Sequence, residues 1–284
     1  MTASSDRECR ICGGEIAVSS YAKTRFRECR DCGYAYLEGG VGNAEYWSDA
    51  EAGASHFWTD AKDAYFRAAL ALLGAKAPGR RLLDIGGGLG YFAEVACTSG
   101  WDAYSLDVSP RATEFARRRL GDERAWQAFP RGQERTFDAA TLWCVVAHTR
   151  APESLLRLAA TAVRPGGVVW VTTPNFDFQR RIAPIRAALG RPIDFAGEDH
   201  VGHFTPRSLA LLCRQEGFRD VERAFVGVTE VCLVFGSRNP LFVAGKRAWN
   251  RLAFAAARRN LPNLMSELQV TARLAEEART RPGR

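Results

Sequence analysis

A chain of 284 residues with 46% hydrophobic, 25% charged and 11% aromatic residues has the composition of a folded domain of enzyme size. This composition excludes a disordered chain, a collagen-like repeat and a disulfide-dense miniprotein, and the neutral charge of residues 1–236 argues against a general nucleic-acid binder, because the net charge of +7 lies in residues 237–284. No apolar run of about 18 residues occurs and the start of the chain lacks the apolar stretch of a secretory signal, so we expect a cytoplasmic protein without membrane contact.

Two cysteine pairs stand near the start of the chain. Cys9 and Cys12 form one Cys-x-x-Cys pair, and Cys29 and Cys32 form another after sixteen intervening residues. In a reducing compartment this spacing predicts four thiolate ligands of one structural zinc ion, and a disulfide or redox role is the alternative. Such a short segment cannot bury enough apolar surface alone, so we expect zinc to supply much of its folding free energy.

Glycines and changes of composition divide the chain into four predicted segments. The glycines at 39, 40 and 42 end the metal-binding segment. We expect a zinc-binding ribbon in 1–40, a helical lid in 41–78, a core domain in 79–236 and a basic amphipathic helical extension in 237–284. The apolar positions of the extension predict packing on the core or on a second copy of the chain in a homodimer.

Strands alternate with helices through the core. Strands are predicted at 81–85, 101–106, 124–127, 137–143 and 168–172, and helices at 59–73, 91–98, 112–119, 152–163 and 205–217. Residues 176–202 lack a clean period and are predicted to form a cap with a short helix. The alternation predicts an α/β fold in which helices cover both faces of a parallel sheet. We expect 218–226 and 229–235 to add an antiparallel hairpin at the sheet edge, and the chain from 239 onward to be helical.

A glycine-rich turn follows the first strand of the core. In Asp84-Ile85-Gly86-Gly87-Gly88-Leu89-Gly90 an acid precedes glycines at every second position. Glycines let the backbone turn sharply and let a ligand approach the main chain, at the edge where open α/β sheets bind ligands. Asp107 ends the second strand, where a carboxylate can bind both hydroxyls of a ribose.

These motifs resemble the class I methyltransferases that depend on S-adenosylmethionine (SAM), over residues 80–236. The segments Phe137-Asp138-Ala139-Ala140, Arg164-Pro165-Gly166-Gly167 and Thr173-Pro174-Asn175 extend the resemblance. It implies a Rossmann-like fold in which the glycine turn faces the methionine part of SAM and Asp107 holds the ribose. The cofactor-binding residues that the resemblance implies are Asp84, Gly86, Gly88, Gly90, Asp107, Trp126, Gln127 and Trp143.

The same resemblance directs the search for catalytic residues to two segments. Many relatives carry an acid and a Glu-His pair after the fourth strand, where this chain has Cys144, Ala147 and His148. A His-x-x-His-Phe-Thr-Pro element begins at His200. We expect His148 or His200 to act as general base with Asp199 orienting it, and a surface or cap-stabilising role is the alternative for each histidine. His203 is expected to be structural.

The resemblance implies methyl transfer by in-line displacement to a small-molecule biosynthetic intermediate in a lidded pocket. A sugar nucleotide or a secondary metabolite, with an oxygen, nitrogen or carbon acceptor, is the leading hypothesis. RNA base methylation with the zinc module gripping RNA is the second, although six basic and six acidic residues leave segment 1–38 neutral. A non-catalytic binding module is the third.

Overall fold

The computed structural model describes residues 7–21, 23–38, 60–195, 200–224, 226, 245, 248–249, 251–253, 255–256 and 265–276. The cysteine pairs lie in a small antiparallel sheet. Its strands are β1 (Ile16–Tyr21), β2 (Thr24–Cys29) and β3 (Ala35–Leu37), with β1 paired to β2 and β2 to β3. We call residues 7–38 the ribbon.

A seven-stranded sheet forms the core of the molecule. Its strands are β4 (Arg81–Ile85), β5 (Asp102–Leu106), β6 (Ala125–Trp126), β7 (Phe137–Trp143), β8 (Val163–Pro174), β10 (Phe218–Arg223) and β11 (Glu267–Leu274). They stand in the order β6, β5, β4, β7, β8, β11, β10. Only β11 runs antiparallel to its neighbours among the paired strands of this described sheet. The predicted α/β fold with a mainly parallel sheet is confirmed.

Six described α-helices accompany the sheet. They are α1 (Asp60–Lys76), α2 (Tyr91–Thr98), α3 (Pro110–Leu120), α4 (Pro152–Ala162), α5 (Phe176–Ala188) and α6 (Pro206–Gln215). Side chains cap three of them: Ser109 accepts a hydrogen bond at the start of α3, Asn175 at α5 and Thr205 at α6. None of the helices in the described ranges has the length and apolar character that crossing a membrane requires.

Strand β11 corrects the prediction that the chain is helical from residue 239 onward. It pairs with β8 from Glu267 opposite Pro174 to Arg273 opposite Val168, and β10 pairs with its other edge. The predicted partner of β10, 229–235, lies outside the described residues. A strand between two neighbours is stabilised by contacts with segments distant in sequence, which a local helical period cannot reveal. Deletion of 237–284 would therefore remove a strand from within the core sheet.

The ribbon is joined to the core by a short strand, β9 (Gly202–His203). Ala35 of β3 pairs with His203, so the small sheet has four strands. The Thr205 hydroxyl donates a hydrogen bond of 2.7 Å to the carbonyl oxygen of Cys32. Gly33 allows this approach, because it has φ +71° and a Cβ there would lie 2.7 Å from the Thr205 methyl group. The ribbon is thus fixed against the start of α6.

Candidate functional site

The four predicted zinc ligands come together at the tip of the ribbon. Their sulfur atoms all lie within 4.8 Å of one another, with 3.7 Å between Cys9 and Cys32 and 3.4 Å between Cys12 and Cys29. Gly13, with φ +76°, follows the first pair as Gly33 follows the second, and each glycine N–H bonds back to the first cysteine of its pair. Four thiols around one point fit zinc in a closed, structural site.

The glycine turn lies between β4 and α2 and packs tightly against its neighbours. Gly86, Gly88 and Gly90 all have positive φ, which only glycine adopts freely. A Cβ at Gly86 would stand 2.4 Å from the side chain of Val145, in the turn after β7. The turn therefore brings bare backbone to the carboxyl edge of the sheet and lies directly beside the segment that follows β7.

Asp107 ties the end of β5 to the glycine turn. One carboxylate oxygen accepts the Gly88 N–H and the other accepts the Ser109 N–H, each at 2.9 Å. Burial raises the pKa of Asp107, and the two backbone hydrogen bonds oppose this shift. Each carboxylate oxygen has a second lone pair available, so the group is held in one orientation and can still accept hydrogen bonds from ribose hydroxyls.

Asp84 is a buried acid behind the glycine turn. The Thr141 hydroxyl donates a hydrogen bond of 2.7 Å to its carboxylate. Burial raises the pKa of Asp84 to about 7, with a smaller contribution from the charge of Asp107, and the Thr141 hydrogen bond acts in the opposite direction. Asp84 therefore titrates near neutral pH when no ligand is present.

The other predicted cofactor residues lie on two sides of the glycine turn. On the β5 side, the Trp126 carbonyl oxygen accepts the Asp107 N–H at 3.0 Å, and Gln127 is exposed. On the β7 side, the Trp143 ring packs 4.8 Å from the Phe92 ring of α2, between centroids. The structure thus places Trp126 and Gln127 beside the ribose-side acid and places Trp143 beyond the turn.

The two candidate bases are brought together. The ring centroids of His148 and His200 lie 4.6 Å apart, and the Val201 N–H bonds to the Ala147 carbonyl oxygen at 2.8 Å. His200 is buried and His148 is partly exposed. Asp199 lies outside the described residues, so its orienting role stays a prediction.

His203 belongs to an aromatic cluster between the ribbon and the core. Its ring lies 5.1 Å from Phe26, 5.2 Å from Phe176 and 6.0 Å from Phe195, between centroids. Burial lowers the pKa of His203 to about 4, so the imidazole is neutral at physiological pH. These contacts agree with the structural role expected for this histidine.

Comparison with known proteins gives the family. A family model described as "Methyltransferase domain" matches residues 57–223, more than half of the chain. The chain belongs to this methyltransferase family. With the glycine turn and Asp107 at the sheet edge, it is a SAM-dependent methyltransferase.

Curated relatives of the methyltransferase carry one description. A ubiquinone biosynthesis O-methyltransferase of Aromatoleum aromaticum is 29% identical over 154 residues, which cover 51% of this chain and 66% of the relative. A protein of the same description from Cupriavidus pinatubonensis is 27% identical over 154 residues, covering 51% of this chain and 62% of the relative. The matches span slightly less than two thirds of these relatives, and the ribbon lies outside the family match.

Solved structures share the fold of the methyltransferase. A chain of the Haloferax volcanii complex that contains the Trm112 methyltransferase activator has a TM-score of 0.53 and 14% identity, covering 84% of this chain and all of that one. A SAM-dependent methyltransferase from Thermotoga maritima has a TM-score of 0.49 and 16% identity over 81% of this chain and 97% of that one. At these identities, the first likeness supports the fold alone.

Sequence reasoning missed an acid at the sheet edge. Glu267, at the start of β11, accepts a hydrogen bond of 2.9 Å from the Tyr65 hydroxyl and one of 3.3 Å from Gln269. Its other carboxylate oxygen lies 3.9 Å from the sulfur of Cys144. A carboxylate therefore stands beside position 144, where the family pattern led us to expect an acid in the chain itself. No sequence signal pointed to it, because 123 residues separate Cys144 from Glu267.

Replacement of Asp107 by asparagine is expected to weaken SAM binding roughly 10- to 100-fold, since a hydrogen bond to a charged group contributes about 1.5–3 kcal/mol. The affinity is measured by isothermal titration of the purified methyltransferase with SAM. Asp102→Asn is the matched control, because Asp102 lies at the other end of β5 and pairs with Arg124. Equal affinities of the two variants would contradict a ribose-binding role for Asp107.

Proposed function

We propose that the methyltransferase transfers the methyl group of SAM to a hydroxyl group of a small-molecule biosynthetic intermediate. The observation that carries this proposal is the placement of the His148–His200 pair. Asp107 follows β5, the glycine turn follows β4, and His148 follows β7, which is the next strand across the sheet. With ribose on Asp107, the acceptor approaches from the β7 side, where the two histidines stand.

The proposed chemistry needs alignment and one proton acceptor. SAM supplies a methyl group on a positively charged sulfur, and the largest contribution of the protein is to align the acceptor in a water-poor pocket. A hydroxyl acceptor loses its proton as it is methylated, and one imidazole of the His148–His200 pair takes that proton. Asp199 is proposed to orient the pair. The description of the curated relatives, which names O-methylation in ubiquinone biosynthesis, supports a hydroxyl acceptor.

RNA base methylation is the second candidate, and the contacts of the ribbon disfavour it. Arg27 pairs with Glu38 at 2.6 Å, Arg30 lies 3.6 Å from Glu15, and Arg10 lies 3.8 Å from Glu153. These pairs reduce the positive charge that a phosphate backbone would meet. A sugar nucleotide or a secondary metabolite remains the proposed class of acceptor, and pairing of two chains through the region after residue 237 remains a prediction.

The proposed function is tested by incubating the protein with methyl-labelled SAM and a cell extract. Small molecules, RNA and protein are then separated, and the label in each fraction is counted. We expect label in the small-molecule fraction, and a strong reduction with Asp107→Asn. Label in RNA would favour the second candidate and overturn the proposal.

Replacement of His148 or His200 by glutamine is expected to lower the turnover rate about 100-fold at pH 7, because general base catalysis contributes at least that factor. The SAM affinity should change less than twofold. Initial rates are measured from pH 6 to pH 10 with the labelled small-molecule fraction as acceptor. The residual rate of a variant without its base should rise with pH as the hydroxyl ionises unaided. If both variants keep their rates within threefold of the unchanged protein at pH 7, the histidines are not the base.

A further inference from the structure

A lysine and a glutamate lie together at the sheet edge, outside every motif that the sequence pointed to. Lys62 is on the first turn of α1, and the charges of Cys144 and Glu267 act on it. Glu267 is held by Tyr65, one turn further along α1, and by Gln269 of β11. The Gln269 side chain also donates to the Tyr65 hydroxyl at 3.0 Å. We call Lys62, Tyr65, Glu267 and Gln269 the edge cluster.

The edge cluster lies beyond the glycine turn, on the side away from Asp107. Across the sheet, Asp107 follows β5, the glycine turn follows β4, Cys144 follows β7, and Glu267 begins β11 beside the end of β8. Val145, next to Cys144, touches Gly86. SAM bound with its ribose on Asp107 and its sulfur at the glycine turn therefore extends its amino-acid end toward Cys144 and the edge cluster.

The charges of the edge cluster complement the amino-acid end of SAM. This end carries one ammonium and one carboxylate group, whereas the cluster offers one carboxylate and one ammonium. Burial raises the pKa of Glu267 and lowers the pKa of Lys62, so neither charge is well solvated. A zwitterion placed beside them supplies each with an opposite charge and repays part of this desolvation.

An unsatisfied hydrogen-bond donor beside the cluster points independently to a ligand. The indole N–H of Trp143 is buried and has no hydrogen-bond partner within the described residues. The Trp143 ring packs 5.6 Å from the Tyr65 ring, between centroids. A buried donor without a partner costs about 1–3 kcal/mol, and a carboxylate next to it would remove that cost. The polar atoms present thus fit the amino-acid end of SAM.

We propose that the edge cluster recognises the amino-acid end of SAM: Glu267 binds its ammonium group, and Lys62 with the Trp143 indole binds its carboxylate. Tyr65 and Gln269 hold the Glu267 carboxylate in position. This inference goes beyond the proposed function, because it concerns the choice of cofactor and is independent of the acceptor. The cluster would make the protein select SAM over nucleosides that lack the amino acid.

Three ligands that differ only in this part test the proposal. S-adenosylhomocysteine carries both charged groups, its decarboxylated analogue carries only the ammonium group, and 5′-methylthioadenosine carries neither. Dissociation constants are measured by isothermal titration for the unchanged protein, Lys62→Met and Glu267→Gln. Both variants are expected to bind S-adenosylhomocysteine 10- to 100-fold more weakly, as for loss of a charge-assisted hydrogen bond. Their affinity for 5′-methylthioadenosine should change less than twofold.

The decarboxylated analogue separates the two roles. Lys62→Met should bind it as well as the unchanged protein does, whereas Glu267→Gln should bind it at least 10-fold more weakly. The matched controls are Lys76→Met and Glu222→Gln, because Lys76 and Glu222 form a surface pair at the other end of α1. Both controls should bind all three ligands normally.

Two results would overturn the proposal. One is an unchanged affinity of both variants for S-adenosylhomocysteine. The other is an equal loss of affinity for 5′-methylthioadenosine, which would mean that the cluster only holds α1 in place. Circular dichroism of each variant establishes that it is folded before titration. The experiment contains no acceptor, so its outcome is independent of the methyl-transfer assay that tests the proposed function.

Discussion

Replacement of Cys29 by serine is expected to empty the zinc site and unfold the ribbon. Cys29, Cys32 and Cys9 are buried, and a closed site that loses one thiolate binds zinc far more weakly. In isolated zinc-finger peptides the metal contributes an apparent free energy of about 10–16 kcal/mol, which such a small sheet cannot replace with apolar burial. The zinc content should fall from one ion per chain to near zero, as measured by metal analysis of the purified protein.

Loss of zinc is also expected to lower methyl transfer, because the ribbon supports the segment that carries His200. Leu37 donates its N–H to the Val201 carbonyl oxygen at 3.1 Å, and β3 pairs with β9 directly after this segment. Limited proteolysis should cut residues 7–38 of Cys29→Ser faster than those of the unchanged protein. Cys97→Ser is the control, since Cys97 lies on α2 outside the cluster. A Cys29→Ser protein with a full complement of zinc would show that the cysteines are not the ligands.

Replacement of Asp84 by asparagine is expected to remove a pH dependence of stability. The pKa of Asp84 is about 7 in the folded protein and has its ordinary value of 3.8 in the unfolded chain, so folding takes up a proton between these values. The contribution of Asp84 to stability is full below pH 4 and is lost as the pH rises through 7. The loss amounts to about 4 kcal/mol, since one pKa unit corresponds to about 1.4 kcal/mol.

The free energy of unfolding in urea at pH 5 and pH 8, without SAM, measures this effect. Asp84→Asn should gain stability relative to the unchanged protein between these two pH values, because asparagine carries no proton to lose. The difference between the two proteins isolates Asp84 from the other buried groups, such as His203, whose lowered pKa acts in the opposite direction. Asp122→Asn, at an exposed site, should follow the unchanged protein. A constant difference between Asp84→Asn and the unchanged protein across this range would refute the raised pKa.

The sequence by itself determined the parts of the site that depend on neighbours along the chain. The cysteine pairs, the glycine turn and the acid at 107 were predicted because each depends on a short segment whose backbone positions follow from residue type and spacing. Gly86 and Gly88 have the positive φ that the turn requires, and Asp107 ends the strand beside β4. Consecutive parallel strands end at one edge of the sheet, so these residues meet there once the strands form.

The tertiary structure alone decided which distant segments became neighbours. Residues 267–274 were expected to be helical, but β8 and β10 pair with both of their edges, and this pairing brings Glu267 beside Cys144. His148 and His200 were both named from the sequence, yet only the packing of their two segments brings the rings within 4.6 Å. Local propensity is set by adjacent residues, whereas strand pairing depends on side chains from remote parts of the chain. The edge cluster could be found only after the sheet had been built.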